Sequence, residues 1–132
     1  MEKKRIELVL PGKTPGVFCD GVQYGDLLFT SGTAPRQADG TIYAPGDVIE
    51  QTKFIFNNIK TLLEMVGSTP DDIIKMNLYL KDMNDRLRIA DIRKEFTKNV
   101  KIAACAVQIC ELADSQMCIE ADVVAVAHKL AE

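Results

Sequence analysis

A chain of 132 residues is the length of a single domain, and 47% hydrophobic with 27% charged residues is the profile of a folded domain rather than a disordered segment. The formal net charge of −3 comes without a clustered basic face, since Lys3, Lys4 and Arg5 are flanked by Glu2 and Glu7, and this argues against nucleic acid as a partner. No apolar run of about 20 residues exists to span a membrane, and the N-terminal apolar run before Pro11 is too brief for a signal peptide, so the expected location is cytoplasmic.

Arg5–Leu10 alternates and reads as a strand ending at Pro11 and Gly12, followed by a turn-rich connection over 11–16. Phe18, Val22 and Tyr24 suggest a short strand, and Gly25-Asp26 turns the chain into a better one, Leu27–Ser31. Residues 32–46 carry Gly32, Pro35, Gly40, Pro45 and Gly46, a long loop of the kind that often bears function. Asp47 then caps a helix, with Glu50 positioned to complete a capping box. Its apolar stripe is Ile55, Ile59, Leu62, Leu63 and Val66, and Gly67 stops it. Asp72–Leu80 alternates as a strand, with Ile74, Met76, Leu78 and Leu80 on one face and Ile73, Lys75, Asn77 and Tyr79 on the other. Asp82 or Asn84 opens a second helix to about Phe96, its apolar positions Leu87, Ile89, Ile92 and Phe96. After a linker over 97–101, Ala103–Ile109 and Met117–Ala127 read as strands joined through residues 111–116 as a hairpin or near-hairpin.

The order β-β-β-α-β-α-β-β is an α+β fold. Two amphipathic helices suffice to cover one face of its sheet. On the last strand Cys118, Glu120, Asp122, Val124 and Val126 share the uncovered side, opposite Ile119, Ala121, Val123 and Ala125. Acids followed by valines on a helix-free face suggest an oligomer interface with a polar pocket at one end. Cys19, Cys105, Cys110 and Cys118 form no CxxC pair and His128 is the single histidine, so reduced, buried thiols are expected and no metal or cofactor is implied. Cys105 and Cys110, an odd number of residues apart on one strand, should point to opposite faces.

Several stretches resemble one family in order and spacing. Gly25–Gly32 resembles a "G-x-h-h-h-h-S-G" strand and turn. Gln51-Thr52, Asn58, Leu63 and Gly67 match its "QT…N…L…G" helix. Ile73–Asp82 resembles its "V-V-K-x-x-x-Y-L-x-D" strand, while 106–109 and 119–125 resemble its last two strands. On these residues the chain is similar, over nearly its whole length, to the Rid (reactive intermediate deaminase, YjgF-type) family. The resemblance implies one Rid-like domain over 1–132, a mixed sheet with two helices packed on one face, and a chorismate-mutase-like homotrimer with ligand clefts between neighbouring subunits.

Active members hydrolyse reactive imines and enamines. In their "P-A-R-S-C" motif an arginine binds the substrate carboxylate, and a glutamate on the last strand positions water. A planar guanidinium suits the first task and a carboxylate near the imine carbon the second. Glu120 matches the glutamate and is the candidate catalytic residue. Its alternative role is that of a hydrogen-bonded interface acid beside Asp122, and paired acids can raise one another's pKa. Alignment on Val107-Gln108-Ile109 puts Ala104 at the arginine position, and a one-residue shift puts Cys105 there. Phe18, followed by Cys19, replaces a tyrosine, and Ala90 replaces an asparagine of the second helix. Ser31 and Gly32 match cleft-lining residues; Ser31 has no partner base, and Gly32 is expected to allow a tight turn against a ligand.

Without a cation, binding of 2-imino acids loses a charge-assisted contact worth about 1.5–3 kcal/mol. Lys101 and Arg36 are the loop cations that could substitute. Cys105 is either a reactive thiol beside the vacated position or a packed one. The leading expectation is an intersubunit cleft for a small metabolite, with imine or enamine hydrolysis through Glu120. The alternative is a non-catalytic binding or regulatory protein using the same cleft. A ribonuclease reading is disfavoured by the acidic balance and the absence of an aromatic-basic platform.

Overall fold

The computed structural model describes residues 2–14 and 16–132; within the turn-rich connection expected over 11–16, Pro15 lies outside the described residues. The described strands are β1 (Arg5–Leu8), β2 (Gly21–Tyr24), β3 (Leu27–Thr30), β4 (Ile73–Leu80), β5 (Ala103–Gln108) and β6 (Ile119–Val126). They form one mixed sheet in the order β1-β2-β3-β6-β4-β5. All neighbours are antiparallel except β4 and β5, which are parallel.

The last two strands are not a hairpin. β4 lies between them, pairing with β5 on one edge and β6 on the other. The connection crosses the end of β4, where Ile109 N–H donates to the Leu80 carbonyl at 2.9 Å and Lys81 N–H to that of Cys118 at 3.2 Å. Crossing two strand spacings needs only about 10 Å, well within reach of that connection.

The long helix α1 (Val48–Met65) forms as its periodicity predicts. Asp47 accepts from the Glu50 N–H at 3.1 Å, but the Glu50 side chain pairs with Lys53 at 3.2 Å instead of closing the box. Gly67, at φ +72°, turns the chain out of the helix in the left-handed region that favours glycine. Ile55, Ile59, Leu62 and Leu63 are buried against Leu28, Met76, Leu78 and Leu80 and the inward side of β6. β6 alternates as expected, with Ile119, Ala121, Val123 and Ala125 buried.

The second helix is two pieces, α2 (Asp85–Arg88) and α3 (Ala90–Phe96), broken at Ile89. Ile89, at the break, is fully buried in the core, whereas Leu87, another of the expected apolar positions, is 72% exposed. Phe96 stacks on Phe56 with ring centroids 4.5 Å apart, fixing α3 against α1. In β4 the expected faces hold from Lys75 onward. At its start a register irregularity exchanges the isoleucines, so Ile73 is buried and Ile74 exposed. The first strand also ends earlier than its pattern suggests, because Leu10 N–H donates to Asp20 Oδ2 at 2.7 Å rather than to a strand neighbour.

The helix-free face divides in two. Val22, Phe29 and Val124 align across it, as do Tyr24, Leu27 and Val126, which makes the centre of one half apolar, with Glu7, Arg5 and Lys75 at the ends of those rows. Rows of Asn77, Cys105 and Asp122, then Tyr79, Val107 and Glu120, make the other half mostly polar. The thiols are free, but not buried as expected: Cys105 and Cys110 are exposed, while Cys19 and Cys118 are half-buried. Cys110 lies beyond the end of β5, so the opposite-face expectation does not apply to it.

Candidate functional site

The site forms where the chain leaves β3. Thr33 and Ala121 exchange backbone hydrogen bonds, at 2.6 Å from the Thr33 N–H and 3.2 Å from the Ala121 N–H. Between that bridge and the Phe29–Val124 pair, Val123 N–H donates to Thr30 Oγ1 at 2.9 Å. One extra residue is therefore accommodated as a bulge, which lays Gly32 directly against Glu120. A Cβ built on Gly32 would fall inside the Glu120 carboxylate, with Cγ only 3.3 Å away. Glycine leaves room here for the Glu120 carboxylate, and its φ is not in the left-handed region.

Ser31 Oγ donates to the Cys19 carbonyl at 2.7 Å, and its N–H to that of Asp20 at 2.9 Å. The hydroxyl is thus committed to holding the 18–20 segment over the bulge. The resulting cleft, of about 550 Å³, gathers the expected Phe18, Cys19, Ser31, Gly32 and Glu120 with Lys13, Asp20 and Arg36. Phe18 stands 85% exposed at its rim. Glu120 is half-buried, and burial first, then the neighbouring Asp122 charge, pushes its carboxyl pKa up.

The two acids have separate roles. Asp122 accepts from Asn77 Nδ2 at 2.9 Å and from the Tyr79 hydroxyl at 2.8 Å. That bond to Asp122, followed by burial, raises the Tyr79 pKa. Glu120 has no such partner among the described residues, which leaves its carboxylate available to a molecule in the cleft. Asn77 and Tyr79 were legible as mixed-face residues, but only the β4–β6 register reveals that they hold Asp122.

Two expected site residues lie elsewhere in the chain. Ala104 and Ala90 line a depression between β5 and α3, together with Arg93 and Thr97, on the helix-covered side of the sheet. Cys105 instead joins the Glu120 face, in the row of Asn77 and Asp122. Of the two registers considered for the arginine position, 105 is therefore the one that shares a face with Glu120. Lys101 is exposed outside the Glu120 cleft, whereas Arg36 lines it. Lys13, which the sequence reading missed, also lines it, but its ammonium pairs with Asp20 at 3.3 Å. Among the described residues no group of His, Cys, Asp and Glu gathers as metal ligands would, and no helix is long and apolar enough to cross a membrane.

A family model described as Endoribonuclease L-PSP matches residues 12–127, from the turn after β1 to the end of β6. The chain belongs to this family, the Rid or YjgF-type family. A RutC family protein of Pyrococcus abyssi is 31% identical across 80% of this chain and 86% of its own. Another Rid relative, from Dermatophagoides farinae, is named 2-iminobutanoate/2-iminopropanoate deaminase and is 27% identical across 83% of this chain and 86% of its own. Among solved Rid-fold structures, Escherichia coli TdcF with bound serine superposes with TM-score 0.80 at 27% identity, covering 93% of this chain and all of that one. Yeast Mmf1, at TM-score 0.85 and 21% identity over 95% of this chain and 100% of its own, shares the fold.

Proposed function

We propose that this Rid protein is a cytoplasmic homotrimer whose clefts, completed between neighbouring subunits, bind a small metabolite and hydrolyse its imine or enamine group. The observation that carries the reading is the unpartnered Glu120 carboxylate, pressed against Gly32 in an open cleft with its pKa raised. A carboxylate so disposed is a better proton acceptor than an exposed one, because its basicity lies nearer the working pH. Glu120 would accept a proton as a water oxygen adds to the imine carbon. It would return that proton to the nitrogen of the resulting amino alcohol, then take the hydroxyl proton as the C–N bond breaks and pass it to the departing nitrogen. The imine and water become a carbonyl compound and ammonia, with no cofactor or metal needed for the balance. An enamine enters the same course after tautomerising to the imine. The deaminase name of the Dermatophagoides relative and the serine bound by TdcF support this class of small substrate.

A non-catalytic binding protein is the second reading, favoured by one observation. The β5 sequence AACAVQ offers no cation on the Glu120 face, where the thiol of Cys105 stands instead. A ribonuclease reading, which the family description carries, has less support from a chain of net charge −3.

The test is the decay of 2-iminopropanoate, generated in situ, with and without protein. Acceleration over the spontaneous rate is expected, with Glu120→Gln reducing it about a hundredfold, in the range of general acid–base contributions. Cys105→Arg should increase the rate, whereas Ala104→Arg, directed toward α3, should not. No acceleration by the wild type or by Cys105→Arg would leave the binding reading in possession.

A further inference from the structure

We propose that Arg36 is the anion anchor of the Glu120 cleft, holding the carboxylate of a small acid from the 32–46 loop rather than from β5. The inference deepens the proposed function and rests on it for the reacting group, though not for binding. Two cationic side chains line the cleft, and they differ in what they face. The Lys13 ammonium is matched by Asp20 at 3.3 Å, and Asp20 is itself held by the Leu10 N–H at 2.7 Å, so that charge is internally balanced. Arg36 has no carboxylate partner among the described residues; its Nη1 donates only to the Gly40 carbonyl, at 2.7 Å.

The loop that carries Arg36 is built rather than slack. Tyr43 N–H donates to the Pro35 carbonyl and Gln37 N–H to that of Thr41, each at 2.8 Å. Gly40 N–H donates to the Gln37 carbonyl at 2.9 Å, and Arg36 pairs with the buried Ile42 as a β-bridge next to the buried Pro35. A guanidinium pinned at one nitrogen keeps its other donors for a planar anion at little ordering cost. With a free carboxylate at Glu120 and a free guanidinium at Arg36, the cleft suits a short zwitterion-like or 2-imino acid, its acid group at Arg36 and its reacting carbon toward Glu120.

The probe is 2-oxobutanoate, the kind of keto acid that hydrolysis would release, compared with its uncharged amide by titration calorimetry. The wild type should bind the acid more tightly than the amide. Arg36→Gln should weaken the acid about ten- to a hundredfold while leaving the amide unchanged, and Arg36→Lys should recover part of the loss. Unchanged acid affinity in Arg36→Gln, equal loss of acid and amide, or no wild-type preference for the acid would each overturn the proposal. Arg36-dependent binding without imine turnover would uphold the anchor and sink the catalytic reading. Turnover that survives Arg36→Gln with unaltered KM would do the reverse.

Discussion

Position 32 and the Glu120 carboxylate compete for the same volume, so the smallest residue is what lets the acid sit against β3's exit. Gly32→Ala should therefore displace Glu120 without unfolding the chain, since the bulge is exposed and the φ is ordinary. Imine turnover is expected to fall at least tenfold, with a thermal melt within a few degrees of wild type; unchanged turnover would remove Glu120's placement from the account. The raised Glu120 pKa has a signed consequence. Above the ordinary glutamate value of 4.5 the folded form holds a proton that the unfolded form has released, so this group's contribution to stability declines as pH rises through the folded pKa. Glu120→Gln should flatten that part of the stability–pH curve in urea melts. The acid limb of turnover should likewise lie above 4.5, where Glu120 becomes ionised and able to accept a proton.

Beyond its apolar packing, helix α1 carries one polar side chain, Gln51, that is fully buried and bonded to three backbone groups outside the helix. Gln51 Nε2 donates to the Ala44 carbonyl at 3.1 Å and the Gln116 carbonyl at 2.9 Å, and its Oε1 accepts from Cys118 N–H at 2.7 Å. It thereby ties the helix to the loop before it and to the crossover from β5 to β6. Gln51→Leu would leave those backbone groups unmatched, and a loss of about 2–4 kcal/mol in urea unfolding is expected from several orphaned partners. A loss under about 0.5 kcal/mol would mean that water reaches them. Gln51 was legible as part of a sequence pattern, yet its full burial and its three partners were not, because those partners are up to 67 residues away. The break at Ile89 was hidden for a related reason. Three of the four apolar positions, Ile89, Ile92 and Phe96, fit one helical stripe, and nothing in that spacing reports that the chain breaks at Ile89 into two short helices.

Across the whole molecule, one face of the sheet is covered by helices and the other is divided between apolar and polar halves. Tyr24 and Phe29 are 50% and 45% exposed in the single chain, a large apolar area for a face with no helix over it. If that half is the trimer contact, Phe29→Lys should convert a species of about three chain masses into monomer in light scattering, with helix content retained. A wild-type monomer would undo both the trimer and the shared cleft.

What the sequence by itself determined is what repeats locally: the α1 stripe and its caps, and the two-residue alternation of β6. Those signals survive because each depends on residues within a few positions of one another. The tertiary structure alone decided that β4 separates β5 from β6, that 105 and not 104 faces Glu120, and that Ala90 lies across the sheet from the cleft. It also decided that Arg36, from a loop between β3 and α1, stands in the Glu120 cleft. These are outcomes of strand register and loop path, where a slip of one residue reverses every side chain and no local pattern reports which register packs.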